Sequence, residues 1–166
     1  MKKIILSALA IFAVGFASAQ DADGGFQVGI HAGIPMGDAG DVYSANFGAD
    51  VAYMFPIADS FLLGVTTGYS YYAGKAFDTG FGEVKVNGAF IPVAAAAHYS
   101  LNESWFLGAD LGYALYSGDG DGDGGFYYQP KVGYQTEKME FFVGYKGISA
   151  DGASISSVGV GAAYKF

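Results

Sequence analysis

The stretch Trp105-Phe106-Leu107-Gly108-Ala109-Asp110-Leu111-Gly112-Tyr113-Ala114-Leu115-Tyr116 decides the fold. Trp105, Leu107, Ala109, Leu111, Tyr113 and Leu115 alternate with a set that includes Gly108, Asp110 and Gly112. A period of two places the sets on opposite faces of an extended strand, one uniformly apolar and one carrying the glycines and the charge.

The same alternation recurs on both sides of this stretch. Before it come Phe26 to Ile34, Phe47 to Phe55, Phe61 to Tyr71 and Ala89 to Tyr99; after it come Phe126 to Tyr134, Met139 to Tyr145 and Ser156 to Phe166. That makes eight strands, an even number. The connections alternate in length. Short ones fall at Pro56 to Ser60, Ser100 to Ser104 and Thr136 to Lys138. Longer ones fall around Met36 to Ala45, Ala73 to Val86, Ser117 to Gly125 and Ile148 to Ser154. Short turns at one end and long loops at the other are the pattern of a transmembrane β-barrel, with the turns and both termini on the periplasmic side.

With parity set by the apolar residues, the ionisable ones fall on the other face: His31, Asp50, His98, Asp110, Lys131, Glu140, Lys146 and Lys165. Gly29, Gly33, Gly48, Gly64, Gly68, Gly88, Gly108, Gly112, Gly133, Gly144, Gly159 and Gly161 share that face. Glycine packs nothing and weakens a strand. So many on one face mark a crowded interior, such as the narrow lumen of an eight-stranded barrel. The bulky face is then the outside, which would aggregate in water but suits a bilayer. Its aromatics gather near the strand ends, with Val, Ala, Leu and Ile between, as two aromatic girdles around an aliphatic band. The expected fold is an all-β, eight-stranded, antiparallel, up-and-down transmembrane barrel.

The first residues carry a different signal. Met1-Lys2-Lys3, an apolar run from Ile4 to Phe16 and Ala17-Ser18-Ala19 before Gln20 describe a secretory signal peptide. The reading divides the chain into a signal peptide at 1–19 and a barrel domain at 20–166. Losing Lys2 and Lys3 leaves six lysines against sixteen acids, a formal charge of −10, which argues against nucleic acid as a partner. With no cysteine in the chain, there is neither a disulfide framework nor a lipoprotein anchor.

The ending Val158-Gly159-Val160-Gly161-Ala162-Ala163-Tyr164-Lys165-Phe166 resembles the C-terminal signature of outer-membrane barrels, with an aromatic third from the end and a terminal Phe. The whole mature stretch resembles the small single-domain barrels of the OmpA/OmpX type. The resemblance implies that Tyr164 and Phe166 form an assembly signal read by the barrel-assembly machinery. It also implies residence among outer-membrane lipids and lipopolysaccharide, as a monomer. It reaches only to Phe166 and does not extend to the peptidoglycan-binding domain of the OmpA type.

Three constellations could carry chemistry. The inward acids Asp50, Asp110 and Glu140 and the inward lysines Lys131, Lys146 and Lys165 sum to zero charge, and buried charges persist when paired. They are expected to form a lumen ion-pair network, filled out by Tyr72, Phe90, Phe106, Tyr116, Tyr127 and Phe142. His31 and His98 titrate near neutrality and are the possible acid–base residues. Both point inward, no serine partner is evident from the strand pattern, and they are expected to be structural. Asp119, Asp121 and Asp123 alternate with glycine like the start of an EF-hand loop, but position twelve is Pro130 rather than Glu. They are expected to be a flexible acidic loop, with weak divalent-cation binding as the lesser reading. No catalytic residue or cofactor is expected. The leading functional expectation is a non-enzymatic barrel, structural or surface-interacting, with a side-chain-filled lumen. A narrow or gated pore is the alternative, and an outer-membrane lipid-modifying enzyme comes third.

Overall fold

The computed structural model describes residues 24–78, 83–118, 122–150 and 153–166. Eight long strands form the wall: β1 (Gly25–Met36), β2 (Tyr43–Ala58), β3 (Phe61–Gly74), β6 (Gly88–Ser100), β7 (Trp105–Tyr116), β8 (Gly125–Gln135), β9 (Met139–Ala150) and β10 (Ala153–Lys165). The lesser elements are α1 (Asp38–Val42), β4 (Ala76–Asp78) and β5 (Glu83–Lys85). The sheet closes in the order β1-β10-β9-β8-β7-β6-β3-β2, with each neighbouring pair antiparallel. At the closing seam Gln27 faces Lys165 and Met36 faces Ser156. Closure leaves no wall strand with an unpaired edge, which is what a lipid environment requires.

The eight alternating segments read from the sequence are these eight wall strands, and the parity holds. Ile30, Val65, Val93, Leu111, Val143 and Val160 are all more than half exposed on the outer wall. Phe55, Tyr99, Trp105, Tyr134, Phe141 and Phe166 ring its short-turn end; Phe47, Tyr69, Tyr113 and Phe126 ring its long-loop end. An apolar exterior this continuous has no favourable contact with water and every favourable contact with lipid tails. Among the described residues, no helix is long and apolar enough to cross a membrane. The strands do the crossing.

Inside, glycines make room for particular side chains. A Cβ at Gly161 would collide with the Phe142 ring, and one at Gly133 would lie 2.6 Å from the Phe106 ring. One at Gly68 would lie 2.5 Å from Asp50, and one at Gly48 would lie 2.8 Å from His31. No real Cβ tolerates such distances, so these four lumen side chains occupy space that a neighbouring glycine vacates.

Three long connections differ from the sequence expectation. The loop expected from Ile148 to Ser154 is mostly strand: β9 runs to Ala150, β10 begins at Ala153, and Ile148 pairs with Ile155 across the ladder. Ile148 is buried and Ile155 packs on the same inner cluster, so apolar burial prolongs the pairing. The segment after Met36 turns at Gly37 (φ 58°) into α1, and β2 already begins at Tyr43, whose ring lies 5.4 Å from that of Tyr72. The third connection contains β4 and β5, with Ala76 opposite Lys85.

Candidate functional site

The lumen has three layers. At the long-loop end Tyr72, Phe90, Ala94, Ala114, Tyr127 and Ile148 form a buried cluster, with Tyr43, Tyr116 and Ile155 against it. Tyr72 meets Phe90 at 5.9 Å and 89°, and Phe90 meets Tyr116 at 5.4 Å and 72°. Edge-to-face rings of this kind pack closely. This layer is an apolar plug.

Below it lies a polar layer centred on His31, which projects from β1. Its Nδ1 lies 2.5 Å from Asp50 Oδ2, and its Nε2 lies 2.9 Å from Lys146 Nζ and 3.2 Å from Ser70 Oγ. The lysine nitrogen donates, so Nε2 accepts and Nδ1–H donates to Asp50. Ser70 Oγ accepts from Asn46 Nδ2 at 2.9 Å and from Lys146 Nζ at 3.2 Å. Asn46 is held in that orientation because its Nδ2 also donates to the Tyr71 carbonyl at 3.1 Å.

Two sequence expectations are corrected here. His31 does have a serine partner, and the Ser70–His31–Asp50 series has the order of a hydrolytic triad. The strand pattern hid it because Ser70 comes from β3, beyond the neighbouring β2. Yet the lone pair that would take the serine proton is held by Lys146, and Ser70 is only 1 % exposed beneath the plug. Second, Asp50 and Lys146 do not pair directly: His31 bridges them. A histidine that the sequence reading left outside the network is its central relay.

Lys131 and Asp110 do pair directly, at 2.8 Å, with Lys131 Nζ 5.4 Å from the centre of the Phe142 ring. The pairing follows from register: Gly108 is opposite Lys131, which leaves room for its stem, and Asp110 is opposite Gln129. Gln129 accepts from the Tyr127 hydroxyl at 2.5 Å, a bond between the polar layer and the plug.

Toward the short turns the lumen is not filled, in contrast to the expectation for its whole length. It widens into a cavity of about 980 Å³ lined by Gln27, His98, Ser100, Gln135, Glu140 and Lys165 among others. Glu140 and Lys165, both members of the expected network, are 3.9 Å apart. His98 Nδ1 lies 3.7 Å from Glu140, and its ring stacks on Phe106 at 4.4 Å.

The remaining sequence candidates lie at the surface. Tyr164 and Phe166 sit on the outer wall with rings 4.9 Å apart, and Phe166 packs 5.7 Å from Phe26 across the closing seam. Asp119 and Asp121 lie outside the described residues, as does the proposed signal peptide; Asp123 is exposed just before β8. Among the described residues no group of three or more His, Cys, Asp or Glu side chains could hold a metal ion.

The closed eight-stranded wall, the apolar exterior and the packed polar lumen define the fold of the small outer-membrane barrels of the OmpA/OmpX type. The attachment invasion locus protein Ail of Yersinia pestis has a similar structure, covering 85 % of this chain and 96 % of its own at 16 % identity, TM-score 0.51. Neisserial surface protein A is similar over 85 % of this chain and 97 % of its own, at 18 % identity and TM-score 0.51. A de novo designed transmembrane β-barrel is similar over 89 % of this chain and 98 % of its own, at 13 % identity and TM-score 0.55. No family model matches the sequence, and no curated protein is significantly similar to it. The likeness is one of fold, and a fold by itself carries no activity.

Proposed function

We propose that the mature chain is a non-enzymatic integral protein of the bacterial outer membrane, a plugged barrel that presents its long-loop end to the cell exterior. The observation that carries this reading is the interior: an aromatic plug above a polar layer in which the Ser70–His31–Asp50 series has its base occupied by Lys146. Such a lumen offers solutes no through path and no accessible nucleophile at Ser70, so contact with the cell exterior falls to the loops and the outer wall. Both termini then lie on the periplasmic side, and Tyr164 and Phe166 serve as the assembly signal. The wall contacts outer-membrane lipids and lipopolysaccharide, and the protein acts as a monomer.

Two measurements test this. A fluorophosphonate serine probe should leave the refolded protein unlabelled; stoichiometric labelling at Ser70 would establish a working nucleophile and overturn the non-enzymatic reading. Protease added to intact cells should cut only in the long loops, and cleavage at the Asp59-Ser60 turn would reverse the orientation.

A further inference from the structure

We propose that the cavity at the short-turn end is a binding site for an aliphatic diamine or polyamine, with Glu140 as the buried anion that receives one ammonium group. Glu140 is 95 % withdrawn from solvent, yet its contacts are long and fall on one oxygen. Oε1 lies 3.5 Å from Gln27 Nε2, 3.7 Å from His98 Nδ1 and 3.9 Å from Lys165 Nζ. No hydrogen bond to Oε2 is seen among the described residues, and Glu140 lines the cavity. Charged hydrogen bonds normally close to about 2.7–2.9 Å. A buried carboxylate held this loosely is preorganised for a donor that the protein itself does not supply.

The cavity lining selects the sign and length of that donor. Its carboxylates are Asp59, Glu103, Glu137 and Glu140 against two lysines, Lys138 and Lys165. Glu140 is the deep acid, whereas Asp59, Glu103 and Glu137 are exposed at the mouth. An extended chain with ammonium groups at both ends meets a carboxylate at each. Leu62 and Leu101 supply apolar wall for the methylenes between.

His98 makes the site sensitive to protons. The Gln135 amide nitrogen donates to the Asn102 carbonyl at 3.3 Å and to Ser100 Oγ at 3.1 Å, which turns its oxygen toward His98 Nε2 at 2.9 Å. Nε2 therefore carries a hydrogen, and neutral His98 turns the bare Nδ1 toward Glu140. Protonation places an N–H there, so His98 then competes with the amine for the same carboxylate. The charged groups around His98 are Glu140 on β9, Lys165 on β10 and Lys131 on β8.

The test is calorimetric titration of 1,4-diaminobutane into the refolded full-length barrel in detergent micelles, with uncharged 1,4-butanediol as control. The diamine should bind and the diol should not. Glu140→Gln should weaken binding by about tenfold, the equivalent of one charge-assisted hydrogen bond. Lys165→Met removes the internal competitor and should tighten binding, a gain that damage to the fold cannot imitate. Lowering the pH from 8 to 5 should weaken binding in the parent and change it less in His98→Gln. Equal heats from diamine and diol, unchanged affinity in Glu140→Gln, or weaker binding in Lys165→Met would each overturn the proposal. The plug above the cavity is not needed for it, so conduction and amine binding fail independently.

Discussion

Replacing Lys146 with Met tests the relay at the centre of the lumen. The side chain is 4 % exposed, and its ammonium donates to His31 Nε2 at 2.9 Å and to Ser70 Oγ at 3.2 Å. Methionine keeps the volume, so no cavity term enters. The two lost bonds involve a charged donor and are worth about 1.5–3 kcal/mol each. Asp50 is also left without its balancing cation, and breaking a buried pair from one side costs about 3–5 kcal/mol. These figures overlap rather than add, and the Asp50 side chain is 26 % exposed, which lowers the second. The expected loss is about 3 kcal/mol. With a urea slope of about 2 kcal/mol per molar, the unfolding midpoint in lipid vesicles falls by roughly 1.5 M. Adding Asp50→Asn removes the stranded charge and should restore about 1–2 kcal/mol, a coupling of the size found within shared networks. The assay is unfolding followed by Trp105 emission and by mobility of unboiled samples on gels. A Lys146→Met midpoint within about 0.3 M of the parent, or strictly additive effects of the two changes, would refute the relay.

Further outcomes are expected elsewhere in the chain. Gly161→Ala drives a methyl group into the Phe142 ring and should cost about 1–3 kcal/mol; adding Phe142→Leu should recover part of it, as vesicle unfolding would show. Intact mass of the protein from the envelope fraction should correspond to a chain beginning at Gln20, and retention of Met1 would contradict export. Deleting Phe166 removes the ring against Phe26 and the Phe166 amide bond to the Phe26 carbonyl, 3.0 Å long. The amount reaching the outer membrane should fall severalfold by immunoblot, whereas the purified variant should still refold in detergent.

The wall was legible in the sequence because a strand in a barrel has one binary choice to make at each residue. Lipid outside and a narrow lumen inside impose it on every strand, and the inward glycines revealed which face had no room. The lumen was less legible. Lys131 and Asp110 lie on adjacent strands, and a pairing expected from charge balance is found at 2.8 Å. The His31 relay draws on β1, β2, β3 and β9, and contacts across a barrel interior depend on its shear and tilt, which period-two patterning does not encode. Summing to zero charge suggested direct acid–lysine pairs throughout, but a neutral imidazole donates on one side and accepts on the other, and so joins Asp50 to Lys146. The open cavity at the short-turn end was also hidden. Its lining includes small and polar residues of turns, such as Ser60 and Thr136, whose distance from the axis follows from the hairpins rather than from any local pattern.

The proposed closure of this barrel to solutes rests on the ring cluster of Tyr72, Phe90, Tyr116 and Tyr127. Single-channel recording of the refolded protein in a planar bilayer tests it most directly. The parent should give a current indistinguishable from the bare membrane, and Tyr72→Ala with Phe90→Ala should give measurable cation-favouring conductance through the opened plug. Large, regular openings from the unsubstituted protein would contradict the plugged lumen and make the chain a pore.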